Sequence, residues 1–128
     1  MTDRDAIAAY RASSMESAPP IKIVRMLYQS AIVRLEQAQR LDLEQDGAAF
    51  NDALSKADAI VSELRFALDH QASGDVCTKL ESLYLFCEEE IGKAFGDRDV
   101  TKLPPVVGVL RTLLSAWEAV EVEVGDVA

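Results

Sequence analysis

Proline occurs only as two adjacent pairs, Pro19 with Pro20 and Pro104 with Pro105, and six glycines are the only other strong breakers in 128 residues. The stretches between them are long enough to run as helices. Within them apolar residues recur three and four apart, the spacing that lines one side of a helix. A chain with several such stripes must bury them against one another, which constrains the fold more tightly than any other feature of the sequence.

Four segments carry the period. The first, residues 20–41, places Val24, Leu27, Tyr28, Ala31, Leu35 and Ala38 on a central stripe. Ile23, Met26, Val33 and Leu41 widen it well beyond the arc of about 100° that a helix packed on one side requires. Lys22, Arg25, Gln29, Glu36 and Arg40 are left in a narrow polar strip. The second, residues 48–68, repeats Phe50, Ala53, Leu54, Ala57, Ile60, Val61, Leu64, Ala67 and Leu68, with Phe66 off the stripe. The third, residues 75–95, uses Val76, Leu80, Leu83, Tyr84, Cys87, Ile91 and Ala94, with Leu85 and Phe86 off it. The fourth carries Val106, Val109, Leu110, Leu113, Ala116, Trp117 and Val120, broadened by Val107 and Leu114. Pro104 and Pro105 confine its regular hydrogen bonding to the residues after them, leaving residues 100–103 as a turn.

With short polar connections at residues 42–47, 70–74 and 96–99, the pattern predicts an all-α protein, an antiparallel up-and-down four-helix bundle over residues 20–121. Residues 1–19 form a cap segment and linker, where Thr2 and Asp5 resemble a capping box before Ile7, Ala9 and Tyr10. Residues 122–128 read as an acidic, flexible tail.

Charge narrows the functional classes. The formal net charge is −9 and the mean hydropathy is +0.04. Residues 1–40 carry six basic and four acidic side chains, the remainder seven and eighteen. Nucleic acid and anionic lipid are excluded as partners, since both need clustered Lys and Arg. With 49% hydrophobic residues the chain is also too apolar for a disordered acidic protein. The N-terminus lacks the apolar core of a signal peptide and no unbroken apolar run approaches a membrane span, so the expected location is cytoplasmic.

Catalytic constellations are missing. No Gly-rich phosphate loop, Gly-Lys-Ser/Thr or Gly-x-Ser-x-Gly occurs, and the expectation is no enzyme and no cofactor. Di-iron bundles use Glu-x-x-His motifs, but Ala67 stands three residues before the lone His70. The Glu88, Glu89, Glu90 run reads as a solvated face rather than a metal site. Cys77 and Cys87, about 15 Å apart along one helix, cannot bridge each other and read as small buried apolar residues.

What remains is an apolar surplus, placed chiefly on the first and fourth helices, with stray aromatics on the second and third. Surplus of this kind marks a partner surface, suited to an amphipathic segment laid in a groove between helices. A homodimeric regulatory or scaffold bundle would bury the same surface against itself, so monomer and homodimer both stay open.

The order of short motifs resembles the flagellar secretion chaperone (FliS) family. The likeness runs from Tyr10 and Pro20 through Met26, Leu27 and Tyr28 with Ala31, Ile32, Leu35 and Ala38. It continues through Lys56, Ala57, Ile60, Val61, Glu63, Leu64, Leu68 and Asp69, then Leu80, Leu83, Tyr84 and Ala94, and closes on Leu113 and Trp117. Departures are Pro19 in place of a usual Ser, Gln29 and Ser30 after the Met-Leu-Tyr run, Pro104 and Pro105, and Leu114. The resemblance implies a cytoplasmic chaperone that binds the disordered C-terminal segment of flagellin, prevents its polymerisation and hands it to the type III export gate. It also implies that Tyr10 is a movable plug. Ile23, Leu27, Tyr28, Leu83, Leu110 and Trp117 are assigned to the client groove or to its support.

Overall fold

The structure, a computed structural model, describes residues 21–68 and 75–127, with side chains to residue 122. The cap segment with Tyr10, the capping box and the turn containing His70 lie outside the described residues. Helix α1 runs over Ile21–Arg40, α2 over Gly47–Phe66, α3 over Asp75–Asp97 and α4 over Leu103–Val127. A short 3₁₀ turn, Val100–Lys102, leads into α4. The four helices pack in cyclic order, each against two neighbours. The all-α bundle expected from the period is the fold observed.

Two ion pairs fix the direction of α4 on α1. Arg25 Nε donates to Glu121 at 2.5 Å and Arg111 Nη2 donates to Glu36 at 2.8 Å. The α1 members ascend in sequence while the α4 members descend, so the helices are antiparallel. Helix α4 continues to Val127, past the boundary placed at residue 121.

The connections use local side chains to satisfy the backbone. Between α1 and α2, Asp42 Oδ1 accepts from the Glu44 N–H at 2.9 Å and Asp46 Oδ2 accepts from the Asp42 N–H at 3.2 Å. After α3, Arg98 adopts φ 52° and the Asp99 N–H reaches back to the Ala94 carbonyl at 3.1 Å, a Schellman ending built without glycine. Arg98 Nη2 then donates to the Leu43 carbonyl at 3.0 Å and its guanidinium lies over the Phe50 ring. A Cβ on Gly47 would meet Arg98 Nη2 at 2.7 Å, so the absence of a side chain there lets the guanidinium through. Asp99 starts the 3₁₀ turn, its carboxylate accepting from the Thr101 N–H and hydroxyl, which holds its pKa below the ordinary value. Pro104 and Pro105 fall in the first turn of α4, where a missing N–H costs no intrahelical bond.

The core explains the wide apolar arc of α1. Ile23, Val24, Leu27, Tyr28, Ala31, Ile32, Leu35 and Ala38 are all buried, because α1 is flanked by both α2 and α4. Of the residues that widen its stripe, Ile23 is buried, Met26 and Leu41 are half-buried and Val33 is exposed. The spare apolar surface expected on this helix is narrowed to Val33 with the half-buried Met26 and Leu41. On α4, Leu103, Val106, Val107 and Leu110 are buried, whereas Leu113, Leu114 and Trp117 are partly buried and Val120 and Val122 are exposed. Residues Val100–Val122 are long and apolar enough to cross a membrane by length and composition, with a mean hydropathy of 1.2 in their most apolar window. In the fold the start of this stretch fills the core and its two ion pairs bind it to α1, the placement of a bundle helix.

Candidate functional site

The exposed apolar surface is concentrated on α3. Eight large hydrophobic side chains are exposed among the described residues, and four of them, Val76, Leu85, Phe86 and Phe95, belong to this helix. Only Cys77, Tyr84, Cys87, Ile91 and Ala94 of its 23 residues are buried. Val76, assigned to the inner stripe from spacing, is 58% exposed. Cys77 takes the inward direction instead, and the buried set 77, 84, 87, 91, 94 keeps helical spacing with a residue about 100° away from Val76.

Between α2 and α3 lies a groove of about 500 Å³ lined by Leu54, Ser55, Asp58 and Arg65 from one side and Glu88, Ile91, Gly92 and Phe95 from the other. The helical period explains the composition of both walls. Positions 54, 58 and 65 share one side of α2, as 88, 92 and 95 share one side of α3. Gly92 keeps the floor open, since a Cβ placed there would find no atom within 4 Å.

A polar clasp crosses the groove. Glu88 accepts from Arg65 Nε at 2.6 Å, from Arg65 Nη2 at 3.4 Å and from the Ser62 hydroxyl. Its side chain is 15% exposed. Arg65 also lies over the ring of Phe66, which is 71% exposed. The acidic run read as a solvated face therefore divides. Glu89 is solvated, while Glu88 joins two helices and the largely covered Glu90 pairs with Lys93 at 3.3 Å. Asp58 has no hydrogen bond or ion pair among the described residues. Burial and the nearby Glu88 charge raise its pKa, with Arg65 acting in the opposite sense.

A second cluster joins α1, α3 and α4. The hydroxyls of Tyr28 and Tyr84 are hydrogen-bonded to each other, and the Trp117 indole adds a hydrogen-bonding contribution at Tyr28. Tyr28 is fully buried while Trp117 is partly exposed, so the cluster runs from the core to the surface.

The residues assigned from sequence separate into two sets. Leu27, Tyr28 and Leu110 are wholly enclosed and Ile23 nearly so, which makes them supports rather than contact surface. Leu83 and Trp117 are partly exposed. Tyr10 lies outside the described residues. Missed altogether were Asp58 and Gly92. The available signal was Asp58 and Arg65 seven residues apart on one face, with a glycine inside the third apolar period.

No group of three His, Cys, Asp or Glu side chains suited to a metal ion occurs among the described residues. Both cysteines are free and buried, and burial with the adjacent Glu88 charge pushes the Cys87 thiol up to about 12. Such a thiol is a poor nucleophile at neutral pH.

The chain is similar to known proteins over nearly its whole length. The family model described as flagellar protein FliS matches residues 3–124. A flagellar secretion chaperone FliS from Vibrio cholerae is 32% identical over 124 residues, covering 94% of this chain and 91% of its own. A flagellar secretion chaperone FliS from Salmonella typhimurium is 34% identical over 120 residues, covering 89% and 88%. A flagellar secretion chaperone FliSB from Pseudomonas aeruginosa is 26% identical over 119 residues, covering 90% and 94%.

Proposed function

The chain belongs to the FliS family, and on that premise we propose that it is a non-enzymatic cytoplasmic export chaperone for flagellin. It binds the disordered C-terminal segment of flagellin, keeps the subunits from polymerising and delivers them to the flagellar type III export apparatus, with an export-gate component as second partner. The observation that carries this reading is the exposed apolar face of α3. A segment that orders on binding loses conformational entropy, so it needs a large apolar contact to offset that loss.

In this reading Leu83 and Trp117 meet the client, while Ile23, Leu27, Tyr28 and Leu110 hold the helices that present them. Tyr10, in the segment 1–19, occupies part of the surface when no client is present. A tethered plug lowers net affinity by the fraction of time it stays docked, which eases release at the export gate. A homodimer without a flagellin client is the competing reading. It brings two chains of net charge −9 together, which repel at low salt.

Co-purification with flagellin, with and without its C-terminal segment, is the test. Retention only of full-length flagellin is expected, and calorimetry with the isolated segment should show a negative heat-capacity change. Failure of the cognate segment to bind at high micromolar concentration, with light scattering showing an obligate dimer that flagellin leaves unchanged, would establish the competing reading.

A further inference from the structure

We propose that the α2–α3 groove docks a helical stretch of the client segment and that Asp58 selects a Lys or Arg at the middle of that stretch. The assignment rests on the flagellin-client reading and adds to it a location and a specificity determinant.

Shape supplies the first argument. From Leu54 to Arg65 the wall spans eleven residue steps of α2, about 16 Å at 1.5 Å per residue. That length accommodates three turns of a guest helix. At one end the exposed Phe95 stands with the enclosed Leu54 and Ile91, and at the other the exposed Phe66 ring stands beside Arg65. A guest with apolar residues at i, i+3, i+4 and i+7 places anchors at both ends and leaves one inward position between them. Gly92 provides the room for it, because nothing lies within 4 Å of where its Cβ would stand.

Charge supplies the second. Between the apolar ends, the groove presents two carboxylates and one guanidinium. Glu88 is already matched by Arg65 and Ser62. Asp58 has no hydrogen bond or ion pair among the described residues and lies half-buried beside Glu88, and burial with the Glu88 charge raises its pKa while the Arg65 charge acts in the opposite sense. A cation delivered there gains both carboxylates as partners, and a carboxylate on the guest is repelled by both. The same charge balance disfavours a second copy of this chain, whose residues 41–128 carry eighteen acidic and seven basic side chains. A basic amphipathic stretch of the client is the occupant that satisfies shape and charge together.

The buried cysteines make the test selective. In Gly92→Cys the introduced thiol is the accessible one, because Cys77 and Cys87 are enclosed. Mass spectrometry confirms single labelling by a bulky maleimide, and circular dichroism confirms the helix content. The C-terminal segment of the cognate flagellin is then titrated into labelled and unlabelled protein. Labelling is expected to lower affinity at least tenfold relative to the same Gly92→Cys variant left unlabelled. Asp58→Lys should weaken the natural segment about tenfold and favour a segment whose Lys and Arg are replaced by Glu. Asp58→Asn should give a smaller loss with that preference removed.

Unchanged affinity after labelling overturns the groove while leaving the client reading intact. Loss on labelling with no change in charge preference in either Asp58 variant overturns the selection by Asp58. No binding by unmodified wild-type protein removes the client reading, and the groove assignment falls with it.

Discussion

Tyr28 on α1 and Tyr84 on α3 share a hydroxyl–hydroxyl hydrogen bond inside the bundle, with ring centroids 6.4 Å apart and planes tilted by 44°. The pair lies across the bundle between helices that are not neighbours in the cyclic packing. It therefore registers α1 against α3 directly. With both hydroxyls removed from water, each helps to satisfy the other, and Tyr28 also draws on Trp117.

Removing one hydroxyl should cost more than half of removing both. Tyr28→Phe and Tyr84→Phe are each expected to destabilise the chain by about 1 kcal/mol, because each leaves a buried polar partner behind. The double substitution should cost less than the sum, with a coupling of about 1 kcal/mol in a double-mutant cycle read by urea unfolding. Strict additivity would show that the two hydroxyls do not depend on one another.

Enclosed and partly exposed members of the proposed surface should respond differently to truncation. Leu27 is completely buried, so Leu27→Ala is expected to lower stability by about 2–5 kcal/mol through lost burial and the cavity left behind. Leu83→Ala, at a partly exposed site, should cost less than about 1 kcal/mol and weaken flagellin binding instead. Thermal melts and calorimetry on the two variants separate support from contact.

Alkaline pH should unfold the chain before it affects the ion pairs. Burial pushes the Cys87 thiol from its ordinary 9.0 to about 12 and raises Tyr28 above 10.0. Both groups stay protonated in the folded chain at pH values where the unfolded chain ionises. The stability they carry is complete below pH 9 and is lost as pH rises toward 12. Denaturation midpoints should be flat from pH 7 to 9 and fall above it, with Cys87→Ala flattening part of the decline. Thiol titration at pH 8 should find neither cysteine reactive until denaturant is added.

At Arg98 two effects of similar size oppose each other. Its left-handed backbone costs about 1–2 kcal/mol relative to glycine. Its guanidinium returns about that much through the Leu43 carbonyl and the Phe50 ring. Arg98→Gly should therefore leave stability within about 1 kcal/mol of wild type. Arg98→Ala keeps the strain without the contacts and should be about 1–2 kcal/mol less stable in urea.

The period of three and four located every helix, since each needs an inward stripe whatever its neighbours are. It could not say how many neighbours a helix has. The broad arc of α1 reads as surplus from spacing, yet Ile23 and Ile32 beside its stripe are buried because the helix is flanked on both sides. The stray aromatics Phe66 and Phe86, counted from spacing within the surplus, do stay uncovered, and Leu85 stays uncovered beside them. Val76 and Cys77 differ by one position, and at the first turn of a helix spacing does not decide which of them turns inward. Asp58 and Glu88 are thirty residues apart, and only the antiparallel register of α2 and α3 brings them to one groove. The Tyr28–Tyr84 bond was legible as two tyrosines on inner stripes, without the pairing.

The thin anchoring of α3 makes its opening sensitive to whatever lies across it. A helix with few enclosed side chains opens at lower free energy than one as deeply seated as α1, so its amides should exchange hydrogen first. A ligand lying across α3 suppresses that opening by mass action. Proteases act on the opened form, so an empty chain is cut sooner than a loaded one. Limited proteolysis with and without the flagellin segment should therefore cut the empty chain first, within α3.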